Sequence, residues 1–243
     1  MKKKTHFGFK EVESNDKEGL VKNVFDSVAK NYDLMNDLMS FGLHRIWKKI
    51  LQKNIHLKSD SVVLDIAGGS GDISILLKRK NPKITLIHSD INFNMIKEGQ
   101  KKIIDNGFII PSVLLNAEYI PFSQNSFDII TIGFGLRNMT NKEKVLRECL
   151  NILKPGGKIV ILEFSKIWKP LEKIYDLFSF KIIPKIGKVI ANDEASYQYL
   201  AESIKMHPDQ DSLKQLMQDS GFIMCSYQNL TSGVVSIHQG YKA

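Results

Sequence analysis

No run of about 18 apolar residues occurs in the chain, so the sequence offers no candidate for a membrane-spanning helix. The opening Met1-Lys2-Lys3-Lys4-Thr5-His6 has no apolar stretch behind its lysines; a secretory signal is not expected, and the chain reads as cytoplasmic. Cysteine is scarce. The two present, Cys149 and Cys225, stand far apart without the paired spacing of a zinc site and read as reduced core thiols, with no metal expected. Repeats, low-complexity tracts and long blocks of like charge are also missing, which argues against a solenoid, a disordered chain and a nucleic-acid-binding arm.

What is present suits a globular α/β protein. The 243 residues are 43% hydrophobic and 25% charged, enough apolar material for a full core, and the net charge of +8 attracts nucleic acid, anionic membranes and acidic ligands alike. Residues 1–16 are polar and read as a poorly ordered tail. Leu20, Val21, Val24, Phe25 and Val28 then recur at helical spacing, and with a second helix over 42–54 they make an N-terminal helical cap, 17–54.

From Val62 the period changes. Strand-like runs at 62–66, 84–89, 112–116, 127–133 and 158–164 alternate with helical segments, including 92–105 and 141–153, which implies a parallel sheet covered on both faces. Residues 171–206 read as a helical insertion interrupted at Pro184 and Gly187. Runs at 222–230 and 234–241, joined by Thr231-Ser232-Gly233, read as a closing β-hairpin.

In such a sheet ligands sit beyond the carboxyl ends of the strands, so the first turn, Asp65-Ile66-Ala67-Gly68-Gly69-Ser70-Gly71-Asp72, is the place to look. It is not a dinucleotide fingerprint: Ser74 stands where the third glycine belongs, and Asp72 would oppose a pyrophosphate at the helix N-terminus. Asp65 and Asp72 instead suit a ligand with positive charge and no phosphate, and S-adenosylmethionine carries an ammonium and a sulfonium. Asp90 ends the next strand, where an acid accepts from ribose hydroxyls; a helix cap before Asn92 is its other reading. Asn116-Ala117 ends the strand after that.

Two further blocks carry a resemblance. Tyr32-Asp33-Leu34-Met35-Asn36, with Ser40, His44 and Trp47 behind it, and Phe134-Gly135-Leu136-Arg137-Asn138, followed by Lys154-Pro155-Gly156-Gly157 and Leu162-Glu163-Phe164-Ser165, resemble the signatures of the ubiquinone/menaquinone biosynthesis C-methyltransferases. The similarity continues through Ser196-Tyr197-Gln198-Tyr199-Leu200 and Ile237-His238-Gln239-Gly240-Tyr241. It implies a class I S-adenosylmethionine-dependent methyltransferase fold, Rossmann-like, with a mostly parallel seven-stranded sheet, as a single domain over 17–243. The implied reaction is C-methylation of a polyprenylated quinol: demethylmenaquinol to menaquinol, 2-polyprenyl-6-methoxy-1,4-benzoquinol to its methylated product, or both. The resemblance carries cofactor contacts to Ser70, Asp90, Asn116 and Ala117. One departure is Gly133, where relatives commonly place a serine against the cofactor.

Methylating a quinol carbon calls for an ionised neighbouring hydroxyl and a route for the ring proton. Arg137 cannot be the base, because a guanidinium does not deprotonate in proteins. It suits stabilising the quinolate and orienting a proton-carrying water, with Asn138 fixing that water or the second ring oxygen. An ion pair of Arg137 with Glu163 or Asp128 is the structural alternative. Tyr32, Asp33 and His44 are further candidates for proton acceptor or ring-binding group, with a helix-face histidine bonded to backbone as the other reading of His44, and Phe178, Phe180, Ile182 and Ile183 are candidates to cover a prenyl tail.

The expected partners are a lipid quinol substrate and, transiently, the inner face of a membrane, without nucleic acid; a homodimer or a quinone-biosynthesis complex is the assembly to look for. Two other readings compete. A tRNA or rRNA methyltransferase would explain the basic charge, but Gly133-Phe134-Gly135-Leu136 lacks the Asn/Asp-Pro-Pro-Tyr/Phe motif such an enzyme predicts after the fourth strand. A non-catalytic cofactor-binding subunit is disfavoured by the intact Arg137-Asn138 pair.

Overall fold

The structure is a computed structural model that describes residues 4–29, 32–191 and 193–243. Seven strands form one sheet: β3 (Val62–Ile66), β4 (Thr85–Asp90), β5 (Ser112–Leu114), β6 (Phe127–Gly133), β7 (Leu153–Phe164), β8 (Ile223–Leu230) and β9 (Val235–Tyr241), in the order β5-β4-β3-β6-β7-β9-β8. Every pairing from β5 to β7 is parallel, and β9 runs antiparallel between β7 and β8. The class I methyltransferase fold with its closing hairpin is therefore present as expected.

The β-branched runs make this order stable because central parallel strands are buried on both faces. On one face Ile130, Ile132 and Ile161 pack with Leu146 and Cys149 of α6 (Lys142–Ile152) and with Leu213 and Met217 of α10 (Gln210–Asp219). On the other, Val63, Ile129 and Val160 pack with Trp47 and Leu51 of α3 (Leu43–Lys53) and with Ile73 and Leu77 of α4 (Asp72–Lys80). Truncating one such fully buried leucine to alanine costs about 2–5 kcal/mol. Cys149 and Cys225 are both buried and unpaired.

The chain enters the sheet at β3, winds outward through β4 and β5, then returns to β3's other side with β6. That reversal opens a crevice at the carboxyl ends of β3, β4 and β6. Over it lie α1 (Ser14–Val28) and α2 (Tyr32–Ser40), which with α3 make the cap, while α5 (Phe93–Asp105) forms the wall behind β4.

Three segments differ from the sequence reading. Within the tail read as poorly ordered, residues 4–13 form a hairpin of β1 (Lys4–Phe7) and β2 (Lys10–Glu13), and α1 starts at Ser14; residues 1–3 lie outside the described residues. The ordering force is aromatic: Phe7 stacks on Tyr199 with centroids 4.2 Å apart, Phe9 faces Phe180 at 5.8 Å, and Gly8 takes a positive φ where a Cβ would strike Glu202. The insertion does not break at Pro184 or Gly187. It comprises α7 (Lys169–Leu177), a π-helical turn at Phe178–Ile182, α8 (Ile183–Ala191) and α9 (Glu194–Lys205). The helix runs on from Lys169 to Ala191, and the π-helical turn just before Pro184 is where the ladder adjusts to the missing N–H. Finally, α10 has no counterpart in the sequence reading.

Candidate active site

The glycine turn after β3 is held by its neighbours. Gly68 N–H donates to Ser89 O at 2.8 Å, Gly69 N–H donates to Asp90 Oδ2 at 3.0 Å, and His88 Nε2 lies 3.1 Å from Gly69 O, which can only accept. A Cβ on Gly68 would sit 2.4 Å from the His88 ring, and one on Gly99 of α5 would sit 2.5 Å from Gly69 O, so both positions need glycine for close approach.

Asp65 and Asp72 do not face a ligand, contrary to the sequence reading. Asp65 is fully buried beneath the turn and accepts from the Ser74 and Thr131 hydroxyls, each at 2.7 Å. Asp72 turns outward to Lys48 of α3 and Lys102 of α5, at 2.7 and 2.6 Å. Burial pushes its carboxyl up, but the two ammonium groups outweigh that and hold it well below the usual carboxylate range. Lys102 also donates to Asp33 of α2. Carboxylates in a turn sequence report charge without direction; here that charge ties helices together.

Above the turn lies the main cavity, lined on the sheet side by Gly69, Asp90, Asn116 and Ala117, on the β6 side by Phe134, Gly135 and Asn138, and on the cap side by Glu18, Val21, Phe25 and Tyr32. Of the residues expected at the site, Asp90, Asn116, Ala117 and Asn138 therefore meet in one cavity. Asp90 is 9% exposed; besides Gly69 it accepts from Asn92 N–H at 2.8 Å, and burial raises its carboxyl. It is not the helix cap, since the Asn92 side chain caps α5 by accepting from Met95 N–H. Asn116 donates through its amide to Glu18 of α1 at 3.1 Å.

Ser70 and Arg137 stand apart from this group. Ser70 lines a smaller polar crevice with Asp33 and Lys102, and its hydroxyl donates to Asp33 at 2.9 Å. The Arg137 side chain is buried, donating to Glu163 Oε1 at 2.9 Å and to Phe134 O, with its Cζ 5.2 Å from the Phe164 ring centroid. The ion pair weighed as an alternative thus forms with Glu163, while Asp128 pairs with Lys154 at 2.8 Å. Arg137 Nε is sealed and has no partner among the described residues. Asn138 accepts through Oδ1 from the Tyr199 hydroxyl at 3.0 Å, which leaves its amide protons available to a ligand. Burial pushes the Tyr199 phenol up to about 12, so it stays a donor.

The other candidates are spoken for. His44 Nε2 lies 2.8 Å from Asp37, outside the cavity. The space a Gly133 side chain would use is filled by Ile73, whose Cδ1 would be 2.2 Å from a Cβ there. Phe178 stacks on Phe41 at 5.3 Å and Phe180 faces Phe9, so both help hold the cap rather than line the cavity.

The residues present fit S-adenosylmethionine. The cavity offers a buried carboxylate for a ribose diol, an apolar slot formed by Ile91, Leu115 and Ala117 for a flat base, and a backbone without a side chain at Gly69 for the amino-acid end.

The model of the ubiE/COQ5 methyltransferase family matches residues 11–242. The chain belongs to that family. Among relatives it is 51% identical over 243 residues to the ubiquinone/menaquinone biosynthesis C-methyltransferase UbiE of Laribacter hongkongensis and 52% identical over 243 to that of Chromobacterium violaceum, covering 100% of both chains in each case. It is 52% identical over 240 residues, 98% of each chain, to UbiE of a Neisseria meningitidis strain. Among solved structures, a possible histamine N-methyltransferase of Thermotoga maritima superposes with a TM-score of 0.65 at 17% identity, over 91% of this chain and 99% of that one. Phosphoethanolamine N-methyltransferase 2 of Haemonchus contortus, in complex with S-adenosyl-L-methionine, superposes at 0.58 with 13% identity, over 79% and 51%. These likenesses show the fold, and the family supplies the rest.

Sequence reasoning missed Glu118, which lines the cavity, and Lys17, which donates to Met139 O in its wall. A signal existed for Lys17, which falls in register with Val21, Val24 and Val28 on the apolar stripe of α1, an odd place for a lysine.

Proposed function

We propose that this chain transfers a methyl group from S-adenosylmethionine to a ring carbon of a polyprenylated quinol in ubiquinone or menaquinone biosynthesis. The carrying observation is the identity of 51–52% over whole chains to UbiE C-methyltransferases. When bound, S-adenosylmethionine supplies an electrophilic methyl group.

The chain's own residues do the rest. Asp90 accepts from the ribose hydroxyls, Asn116 and Ala117 border the base, and Ser70 is assigned to the methionine end, where it must exchange its bond to Asp33. Val21, Phe25 and Tyr32 of the cap exclude water from the reacting centre. Asn138, held by Tyr199, offers amide protons to a ring oxygen or to the water that removes the ring proton. Arg137 acts from behind the wall: its bonds to Phe134 O and Glu163 fix the Phe134–Asn138 turn and so the position of Asn138. The cap and the helical insertion belong to one catalytic unit, 17–243.

Delivery of a lipid substrate is assigned to the insertion. No helix among the described residues is long and apolar enough to cross a membrane. Yet Trp168, Leu171, Ile174, Leu177 and Ile182 are 36–69% exposed, with exposed Lys169, Lys173, Lys181 and Lys185 around them. Apolar side chains ringed by lysine suit reversible docking on anionic headgroups. Mass analysis of quinones extracted from a strain lacking the gene tests the reading: an unmethylated quinol precursor should accumulate and clear on complementation. Normal quinones in that strain would refute it.

A further inference from the structure

The hairpin of β1 and β2 reaches the active site through two side chains. Tyr199, on α9, is 6% exposed and donates through its hydroxyl to Asn138 Oδ1 at 3.0 Å. Asn138 lines the cavity; Tyr199 does not. A carboxamide carries an acceptor and a donor pair on one plane, and half a revolution about its last torsion exchanges them with little change of shape. The bond from Tyr199 removes that ambiguity. With Oδ1 engaged behind the wall, the end left for a ligand is Nδ2, which has no partner among the described residues.

Tyr199 is in turn set by the hairpin. Its ring stacks on half-buried Phe7 of β1, with centroids 4.2 Å apart and planes inclined by 17°. β1 and β2 form a two-stranded sheet of their own, separate from the main one. A lone two-stranded hairpin is marginal in water, so this one depends on what it touches. Its tip is fastened to the same helix that carries Tyr199. Phe9 N–H donates to Glu202 Oε2 at 3.1 Å, and the Gln198 amide, one turn earlier on α9, holds the other Glu202 oxygen at 2.9 Å. Residues 7–9 thus grip α9 at two points, the Tyr199 ring and the Glu202 carboxylate.

We propose that the hairpin is a positioning element of the active site: Phe7 fixes the Tyr199 ring, Tyr199 fixes the Asn138 carboxamide, and together they set the N–H donor that meets an oxygen of the acceptor ring. This rests on the quinol reading above and deepens it, adding two positioning residues that do not line the cavity. An aromatic diol, once ionised, carries negative charge on the oxygen beside the nucleophilic carbon. A fixed N–H stabilises that charge better than a mobile one, because no reorganisation is left for the moment of transfer. A turned amide would instead set Oδ1 against the oxygen, acceptor to acceptor. The residues assigned to the cofactor, Asp90, Asn116 and Ala117, belong to β4 and the segment after β5, so the hairpin bears on turnover rather than on cofactor binding.

The test measures kcat, quinol KM and cofactor Kd in Tyr199→Phe, Phe7→Ala, Phe7→Tyr and the double variant Phe7→Ala/Tyr199→Phe. The acceptor is demethylmenaquinol or polyprenyl methoxybenzoquinol in micelles, whichever the wild type methylates. Tyr199→Phe keeps the stacked ring and removes only the hydroxyl; its kcat should fall on the order of 10-fold with cofactor Kd unchanged. Phe7→Ala should lower kcat by a smaller factor, and Phe7→Tyr, which keeps a ring to stack, should restore it. Phe7→Leu serves in place of the alanine variant if that one does not fold. The deciding readout is the double variant: its kcat should match that of Tyr199→Phe alone, because Phe7 then has no hydroxyl left to aim. Losses that multiply, wild-type kcat in Tyr199→Phe, or weakened cofactor binding in place of slowed turnover would each overturn the proposal. Wild-type protein that methylates no quinol would instead defeat the function itself.

Discussion

The Ser70 hydroxyl donates to the Asp33 carboxylate over 2.9 Å, so the turn assigned to the cofactor is bonded to the cap that closes over it. One hydroxyl proton cannot serve Asp33 and a cofactor carboxylate together. Ser70→Ala should therefore weaken cofactor binding by about 0.5–1.5 kcal/mol in calorimetry. Asp33→Ala should leave affinity in place and speed amide exchange across Tyr32–Ser40. Equal affinity in Ser70→Ala would remove Ser70 from the cofactor site.

Asp72 is predicted to be structural. Replacing it with asparagine strands the buried Lys48 and leaves Lys102 with Asp33 alone, which should cost about 3 kcal/mol in urea unfolding. The lysines hold its folded pKa below the unfolded value, so its contribution is present at neutral pH and is lost as pH falls below the ordinary carboxylate range. Wild-type stability should drop on acidification through that window, and Asp72→Asn should drop less. Parallel curves would contradict the assignment.

Lys17 has the opposite signature. Its folded pKa of about 8 lies below that of an ordinary lysine, so between the two values the unfolded chain holds more protons and stability should rise with pH. The rise should amount to roughly 2–4 kcal/mol and should vanish in Lys17→Met. A flat profile in the wild type would place the Lys17 ammonium in solvent.

These titrations concern residues that the sequence disclosed unevenly. Strand period, the glycine turn and the Phe134–Asn138 block were legible because each is local: alternation, φ and close approach are written in neighbouring residues. Direction was not. Asp72 and Asp90 look alike as acids flanking the turn, but one is captured by lysines from two other helices and the other pins Gly69 from below the cavity. The terminal hairpin was missed because Phe7 and Phe9 find their partners at Tyr199 and Phe180, almost a chain length away. Lys17 escaped notice for the same reason: the carbonyl it binds, Met139 O, lies 122 residues further along the chain.

Arg137→Lys separates a strut from a participant. Arg137 makes both bonds through Nη1; a lysine ammonium ends one bond short of that atom and brings neither the Nε donor nor the guanidinium plane near Phe164. Turnover should fall on the order of 10²–10³ with cofactor affinity nearly unchanged, together with some loss of thermal stability. Full turnover in the folded variant would leave Arg137 only its structural role.

The most direct test of the central claim is methyl transfer by the purified protein, using S-adenosylmethionine labelled in its methyl group and reduced demethylmenaquinone or polyprenyl methoxybenzoquinol in micelles. One labelled methyl per ring, fixed to carbon and resistant to ether cleavage in the mass spectrum, is the predicted product. Transfer to a ring oxygen, or no transfer to either quinol by protein that binds the cofactor, would contradict it.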